Sequence, residues 1–210
     1  MNEFKVKNSD LREKLNIPEK SKVILYASRL ENKKYRVCRK LLMGYEKKLL
    51  KKFPDVHLLV AGGGLKTNQI KDRINKKINS NRIQYIGNRV DMPDLYAISN
   101  YVVGTGRIAL EAIFCERPVI AIGSTGTFGL VKPNNLKKAL KYYFCDHKSY
   151  YPLDKTNIVK AVKKGLLSKK QKLNRSTVLR ERVVRNFEVS LVTNELRKIY
   201  LKKLQKEEGM

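Results

Sequence analysis

Apolar positions along this chain follow two patterns in alternation, and the alternation bounds the fold. Residues 22–28 (KVILYAS) and 56–61 (VHLLVA) are nearly continuous apolar runs, the signature of strands covered on both faces. Between them Val37, Cys38, Leu41, Leu42, Tyr45, Leu49 and Leu50 keep a three-to-four spacing, which predicts an amphipathic helix over 34–53 that stops at Phe53-Pro54. The unit then repeats. Residues 69–78 carry Ile70, Ile74 and Ile78 at helical spacing, 82–86 read as a strand ended by Gly87, 93–98 as a short helix, and 101–103 as a fourth strand. A helix marked by Ile108, Ala112 and Ile113 follows, and 118–122 makes a fifth strand. Ahead of these, 10–15 predicts a short helix with Ser9 as N-cap and Ile17-Pro18 as its stop. After Pro133 the pattern gives helices alone, at 135–143, 157–167 and 177–204, the last interrupted near 186–190 where Ser190 would cap a final helix. The sheet is therefore expected to be complete by Pro133.

Strands alternating with helices imply an α/β fold with a Rossmann-like parallel sheet, right-handed crossovers and ligands outside the carboxyl ends of the strands. Arg29, Gly62, Gly64, Gly104, Gly106 and Gly123 all fall at such ends. The richest stretch is 101–131, which runs strand, glycine turn, helix, strand and second glycine loop without a gap. The Gly104-Thr105-Gly106 turn opens a helix, whose free N–H groups and positive dipole end favour phosphate. Glu111 falls on that helix's second turn, at a position expected to be accessible, where a carboxylate can accept from two vicinal ribose hydroxyls. The loop from Gly123 to Gly129, with Thr125 and Thr127, would close the pocket. Read alone, the stretch is equally a tight turn beside a solvated glutamate; the convergence of glycines and Arg29 on one sheet end favours the site. GTGRIA also fits G-x-G-x-x-A, but no Asp or Glu lies between Arg117 and Cys145, which argues against NAD.

Composition narrows the partner. The 210 residues carry 46 Lys+Arg against 19 Asp+Glu, a formal charge of +27 and a pI near 10.1, so the chain attracts anions: nucleic acid, anionic lipid or a phosphorylated substrate. Part of this charge, such as Lys47, Lys48, Lys51 and Lys52, has the spacing of a solvated helix face. Interleaved aromatics suited to stacking bases are lacking, which ranks nucleic acid low. Three widely spaced cysteines in apolar patterns fit reduced thiols, and with two histidines they argue against a metal site. No apolar run approaches the roughly 18 residues of a membrane span, and the first ten residues hold no apolar signal region, so a cytoplasmic protein is expected.

The order of motifs carries a resemblance. SRLENKK (28–34) resembles a G-R-L-x-x-x-K element, VAGGG (60–64) a V-G-x-G element, and IQYIGNRVD (83–91) the strand and loop beside a nucleotide base. GTGRIALEAIFCERPVIA (104–121) resembles E-G-F-G-x-x-x-x-E-A-M-A-x-G-x-P-V-I-A, and FEVSLVTNELRKIYLKKL (187–204) resembles a closing helix. Together, over residues 10–204, the chain resembles the C-terminal, donor-binding half of a GT-B glycosyltransferase of the family 4, group 1 type.

The resemblance implies a nucleotide-sugar-binding domain over 1–150 and a basic helical tail over 151–210 packed on it. It implies that Arg29 and Lys34 are the catalytic cations on the donor diphosphate, that Glu111 holds the ribose, and that Gly104 and Gly106 let backbone N–H groups reach sugar and phosphates. It places Gly62 and Gly64 at the donor, Arg89 near the base, and Gly123, Thr125 and Thr127 at the diphosphate end. No cofactor is expected beyond the nucleotide-diphosphate sugar as donor substrate, and transfer with retention. Two departures stand out: the family's other glutamate, eight residues before Glu111, is Val103, and the sequence starts where the resemblance implies that a preceding acceptor-binding domain should end. Expected partners are accordingly an acceptor-binding domain or subunit, or a second copy, with the basic tail docked on an anionic inner-membrane surface. The alternatives are a noncatalytic nucleotide-sugar-binding subunit, a basic nucleic-acid-binding protein and a GT-B sugar-nucleotide epimerase.

Overall fold

A computed structural model describes residues 9–78, 80–168, 172–187 and 189–207. In chain order the elements are α1 (Leu11–Lys14), β1 (Lys22–Ala27), α2 (Asn32–Gly44), a π-helical stretch (Tyr45–Leu49), α3 (Leu50–Lys52) and β2 (Val56–Ala61). Next come α4 (Thr67–Asp72), a second π-helical stretch (Arg73–Ile78), β3 (Ile83–Gly87), α5 (Met92–Ile98), β4 (Tyr101–Gly104), α6 (Gly106–Phe114) and β5 (Val119–Ile122). The chain ends with β6 (Gly126–Leu130), α7 (Leu136–Lys141), β7 (Tyr151–Pro152), α8 (Lys155–Leu167), α9 (Lys172–Phe187) and α10 (Val189–Glu207).

The seven strands form one sheet in the order β3-β2-β1-β4-β5-β6-β7, parallel from β3 through β5, with β6 antiparallel to both its neighbours. Strand period 2 splits the core into two layers. Val23, Leu25 and Ala27 face a layer completed by Leu95 of α5, Ala109 and Ala112 of α6, Ala139 of α7 and Val183 of α9. Ile24 and Tyr26 face the other, with Val37, Leu41 and Leu42 of α2, Ile70 of α4, and Ile158 and Val162 of α8. Both faces of β1 and β2 are buried, which is why these strands read as unbroken apolar runs.

The sheet does not end at Pro133. The second glycine loop is the strand β6, and β7 adds an edge after α7, so the expected boundary at residue 150 falls inside the sheet. Gly126 and Gly129 hid β6, because glycine is depleted in strands; here they serve its pairing, with φ of +154° and +90°. At 126 a Cβ would collide with the Tyr151 carbonyl oxygen of the neighbouring strand. Beyond β7, α8 is integral too: Asp154 Oδ1 caps it by accepting from the Asn157 N–H at 2.8 Å, and Ile158, Val159 and Val162 bury it against the sheet. Residue 188, in the middle of the break expected near 186–190, lies outside the described residues, and Ser190, expected to cap a final helix, lies inside the first turn of α10. Among the described residues no helix is long and apolar enough to cross a membrane.

Candidate functional site

The strand order places a topological switch between β1 and β4. The chain leaves β1 toward β2 and β3 on one side and returns to β4 on the other, so the carboxyl ends of β1 and β4 border a crevice that neither outgoing connection covers. From the β1 end come Ser28, Arg29 and the first turn of α2; from the β4 end come Gly104, Thr105 and α6. Gly62 and Gly64 serve this crevice indirectly. Both have left-handed φ, +133° and +144°, and a Cβ at 62 would collide with the Ser28 carbonyl oxygen. Their bareness lets the β1 and β2 turns stack, joined by Leu30 N–H to Gly63 O at 2.8 Å and Lys66 N–H to Leu30 O at 2.9 Å.

At the head of α6 the N-cap residue is Thr105, with extended backbone and no side-chain cap bond. Its hydroxyl is engaged elsewhere: it accepts from Lys34 Nζ at 2.6 Å and donates to Asp146 Oδ2 at 2.9 Å. Lys34 also pairs with Asp146 Oδ1. A lysine from α2, a threonine from the β4–α6 turn and an aspartate from the segment after α7 thus meet at the crevice. The ring of Tyr143 lies over Gly106, whose φ is +54°; a Cβ there would come within 2.8 Å of the ring.

Asp146 is aimed by an unusual turn. Tyr143, Phe144 and Cys145 hold φ of +47°, +53° and +79°, three non-glycine residues in the left-handed region, each at a cost of order 1–3 kcal/mol. Burial of Phe144 and Cys145 offsets that cost, and so does the Cys145 carbonyl, which accepts from Thr125 N–H at 3.3 Å and Thr125 Oγ1 at 2.7 Å. The carbonyl lies so close to Gly123 that a Cβ there would collide with it and come within 2.8 Å of Thr105 Cγ2. Gly123 and Thr125 therefore hold the turn that carries Asp146. Burial first, and the Asp146 carboxylate second, push the Cys145 thiol up to about 12, so it stays protonated at neutral pH.

Glu111 is not the accessible helix residue expected. Its side chain is 10% exposed, Oε2 accepts from the Tyr96 hydroxyl at 2.8 Å, and Oε1 pairs with Arg107 Nε at 3.1 Å. Position 111 faces Tyr96 of α5 and is buried beside it. Burial, then the Glu111 charge, pushes the Tyr96 hydroxyl far above its ordinary range, so it remains a donor.

The cations divide. Arg29 is 82% exposed, 3.6 Å from Glu31, and opens with Lys34 on a cleft of about 820 Å³ that Lys33, Arg36, Arg39 and Lys66 also line. Arg89 stands after β3 at the sheet edge, its guanidinium gripped at both ends by Asp91. Thr127 is buried within β6. The structure thus brings together Arg29, Lys34, Gly104, Gly106, Gly123 and Thr125 about the switch point, sets Glu111 behind it, and leaves Arg89 and Thr127 apart. Thr105, Tyr143 and Asp146 were missed. One signal was present, since Asp146 is the sole acid between Glu116 and Asp154 in a lysine-rich stretch.

Comparison with known proteins follows the same lines. The family described as glycosyl transferases group 1 matches residues 7–171. No curated protein sequence matches the chain. HepE of Anabaena, solved in complex with UDP and glucose, has the same fold, with TM-score 0.70 at 19% identity over 96% of this chain and 54% of that one. The C-terminal domain of LpcC, a glycosyl transferase group 1 family protein of Francisella tularensis, aligns with TM-score 0.54 at 17% identity over 87% of this chain and 95% of that domain. A GtfA/B complex aligns with TM-score 0.64 at 18% identity over 96% of this chain and 38% of that one. The chain thus spans about half the length of HepE and most of an isolated C-terminal domain.

Proposed function

The chain belongs to the group 1 glycosyl transferases, and from that premise we propose that it is the donor-binding half of an enzyme that transfers a sugar from a nucleotide-diphosphate sugar. One observation carries the reading: Lys34 stands at the switch point beside the uncapped head of α6, with Arg29 open on the same basic cleft. The α6 head and the two cations present donors and positive charge to a diphosphate, and the same groups stabilise the charge that builds on it as the glycosidic bond breaks. Glu111 keeps lone pairs beyond those used by Tyr96 and Arg107, and these accept the ribose hydroxyls. HepE, holding UDP and glucose, supports a uridine nucleotide as the first donor to try. Thermal-shift measurement with UDP-, GDP- and ADP-sugars tests the reading. Ligand at about a hundred times its Kd stabilises by about 2.7 kcal/mol, a rise of roughly 5–10 °C for a chain of this size. No shift with any of the three classes would overturn it.

The other wall of the active site must come from an acceptor-binding domain or subunit, since positioning two substrates and excluding water needs both sides of a cleft. In support, α10 leaves Leu191, Leu196, Ile199, Tyr200 and Leu204 about half exposed or more, surface of the kind that marks an interface. Paired subunits occur in the GtfA/B complex. Light scattering with a donor-turnover assay decides this: a monodisperse monomer with robust transfer refutes it.

A further inference from the structure

Asp146 is out of place in a site for phosphate. A diphosphate drawn to Lys34 would meet, on the same ammonium, a carboxylate that repels it. Asp146 therefore weakens the site for phosphate unless another part of the ligand faces it. Hydroxyl groups satisfy that condition, because each can donate to a carboxylate and accept from an ammonium at once. The cluster has the capacity. Lys34 Nζ donates to Thr105 Oγ1 and to Asp146 Oδ1, which leaves its third N–H, and each Asp146 oxygen has a further lone pair. The Asp146 side chain is 21% exposed, open enough to be reached and enclosed enough for a hydrogen bond to count.

We propose that Asp146, set against Lys34 and Thr105, recognises the hydroxyl groups of the transferred sugar and so determines which sugar the donor site accepts. The proposal rests on the nucleotide-sugar reading above. A sugar esterified to the diphosphate begins where the phosphate ends, so one ammonium serves both, its third N–H on the phosphate and its partner carboxylate on the ring. Two more observations converge on this reading. At the end of β4 Val103 is fully buried in the sheet, so the carboxylate that the cluster presents at the crevice is that of Asp146. The fold also holds three consecutive left-handed residues just before Asp146, backbone strain of a kind that gathers at ligand-contacting sites. The same turn lays the partly exposed Tyr143 ring over Gly106 and stacks it on His147 at 5.2 Å, an aromatic wall beside the carboxylate.

Isothermal calorimetry of the full chain with UDP and with UDP-glucose tests this, comparing wild type with Asp146→Asn, which keeps shape and removes charge. The quantity read is the effect of the substitution on UDP-glucose relative to its effect on UDP. A relative loss of about tenfold or more for UDP-glucose is expected, the fold-change that one charge-assisted bond carries. Equal changes for the two ligands, including equal tightening, would show that Asp146 acts on the phosphates alone and would overturn the proposal while leaving the nucleotide reading intact. Binding of neither ligand by wild type, nor of GDP, ADP and their glucose and mannose esters, would overturn both. Should Asp146→Asn fail to fold by thermal melt, Asp146→Glu retains the pair with Lys34 but moves the carboxylate by one methylene. It is expected to change the preference between UDP-glucose and UDP-galactose about tenfold; an unaltered preference would sink the idea.

Discussion

Two carboxylates flank α6, and they are held in opposite ways. Glu111 lies on the helix itself, 10% exposed, fixed by the Tyr96 hydroxyl and Arg107 within a regular element. Asp146, 21% exposed, directly follows a left-handed turn and is fixed by Lys34 from α2 and Thr105 from the head of α6. The first is placed by local structure, since an α-helix dictates where its sixth residue points. The second is placed by contacts between segments distant in sequence, with Gly123 and Thr125 clamping the Cys145 carbonyl behind it. Hence the sequence pattern exposes Glu111 as a candidate and conceals Asp146.

Breaking the support of the Asp146 turn has the largest expected effect. Gly123→Ala drives a Cβ into the Cys145 carbonyl, backbone against backbone, with Thr105 Cγ2 on the other side. About 3–4 kcal/mol of stability is expected to be lost in urea unfolding, in the range of severe overpacking. Wild-type stability for this variant would mean that the turn does not depend on the bare Cα. On the Glu111 side the expected loss is smaller. Glu111→Ala removes the buried bond from the Tyr96 hydroxyl, for about 1–3 kcal/mol, and with it the proposed ribose acceptor, so calorimetry should find nucleotide binding largely abolished. Tyr96→Phe removes the donor but leaves the Glu111 carboxylate its ion pair with Arg107, so it should cost about 1 kcal/mol and keep nucleotide binding. If Glu111→Ala binds nucleotide like wild type, Glu111 is a structural residue and the comparison collapses to Asp146 alone.

The smallest effect supplies a control far from both. His57, in β2, is buried, and burial together with Arg82 and Arg12 lowers its pKa below the ordinary 6.5. A histidine that is harder to protonate when folded leaves the unfolded chain binding more protons at acid pH. Its contribution is therefore fully present above about pH 6.5 and is lost as pH falls through that value toward the folded pKa. Stability measured from pH 7 to 5 should fall less steeply in His57→Gln than in wild type; parallel curves would show that the imidazole does not report its burial.

The sequence by itself determined the layered α/β plan. Strands β1, β2, β4 and β5 are buried almost throughout, and α2, α6 and α8 each turn one stripe inward, so periodicity alone marks them. It also determined the family, through motifs whose order survives even where single positions such as Val103 depart. Only the tertiary structure decided that Gly126 to Leu130 is a strand, because its glycines weaken any local preference and pairing with β5 and β7 supplies what is missing. Tertiary structure likewise buried Glu111 against Tyr96, kept Arg89 at the sheet edge with Asp91, and carried Asp146 to a lysine 112 residues away. Periodicity records which face of an element avoids water, whereas a polar contact between distant segments leaves no period, since it depends on how the whole sheet is wound.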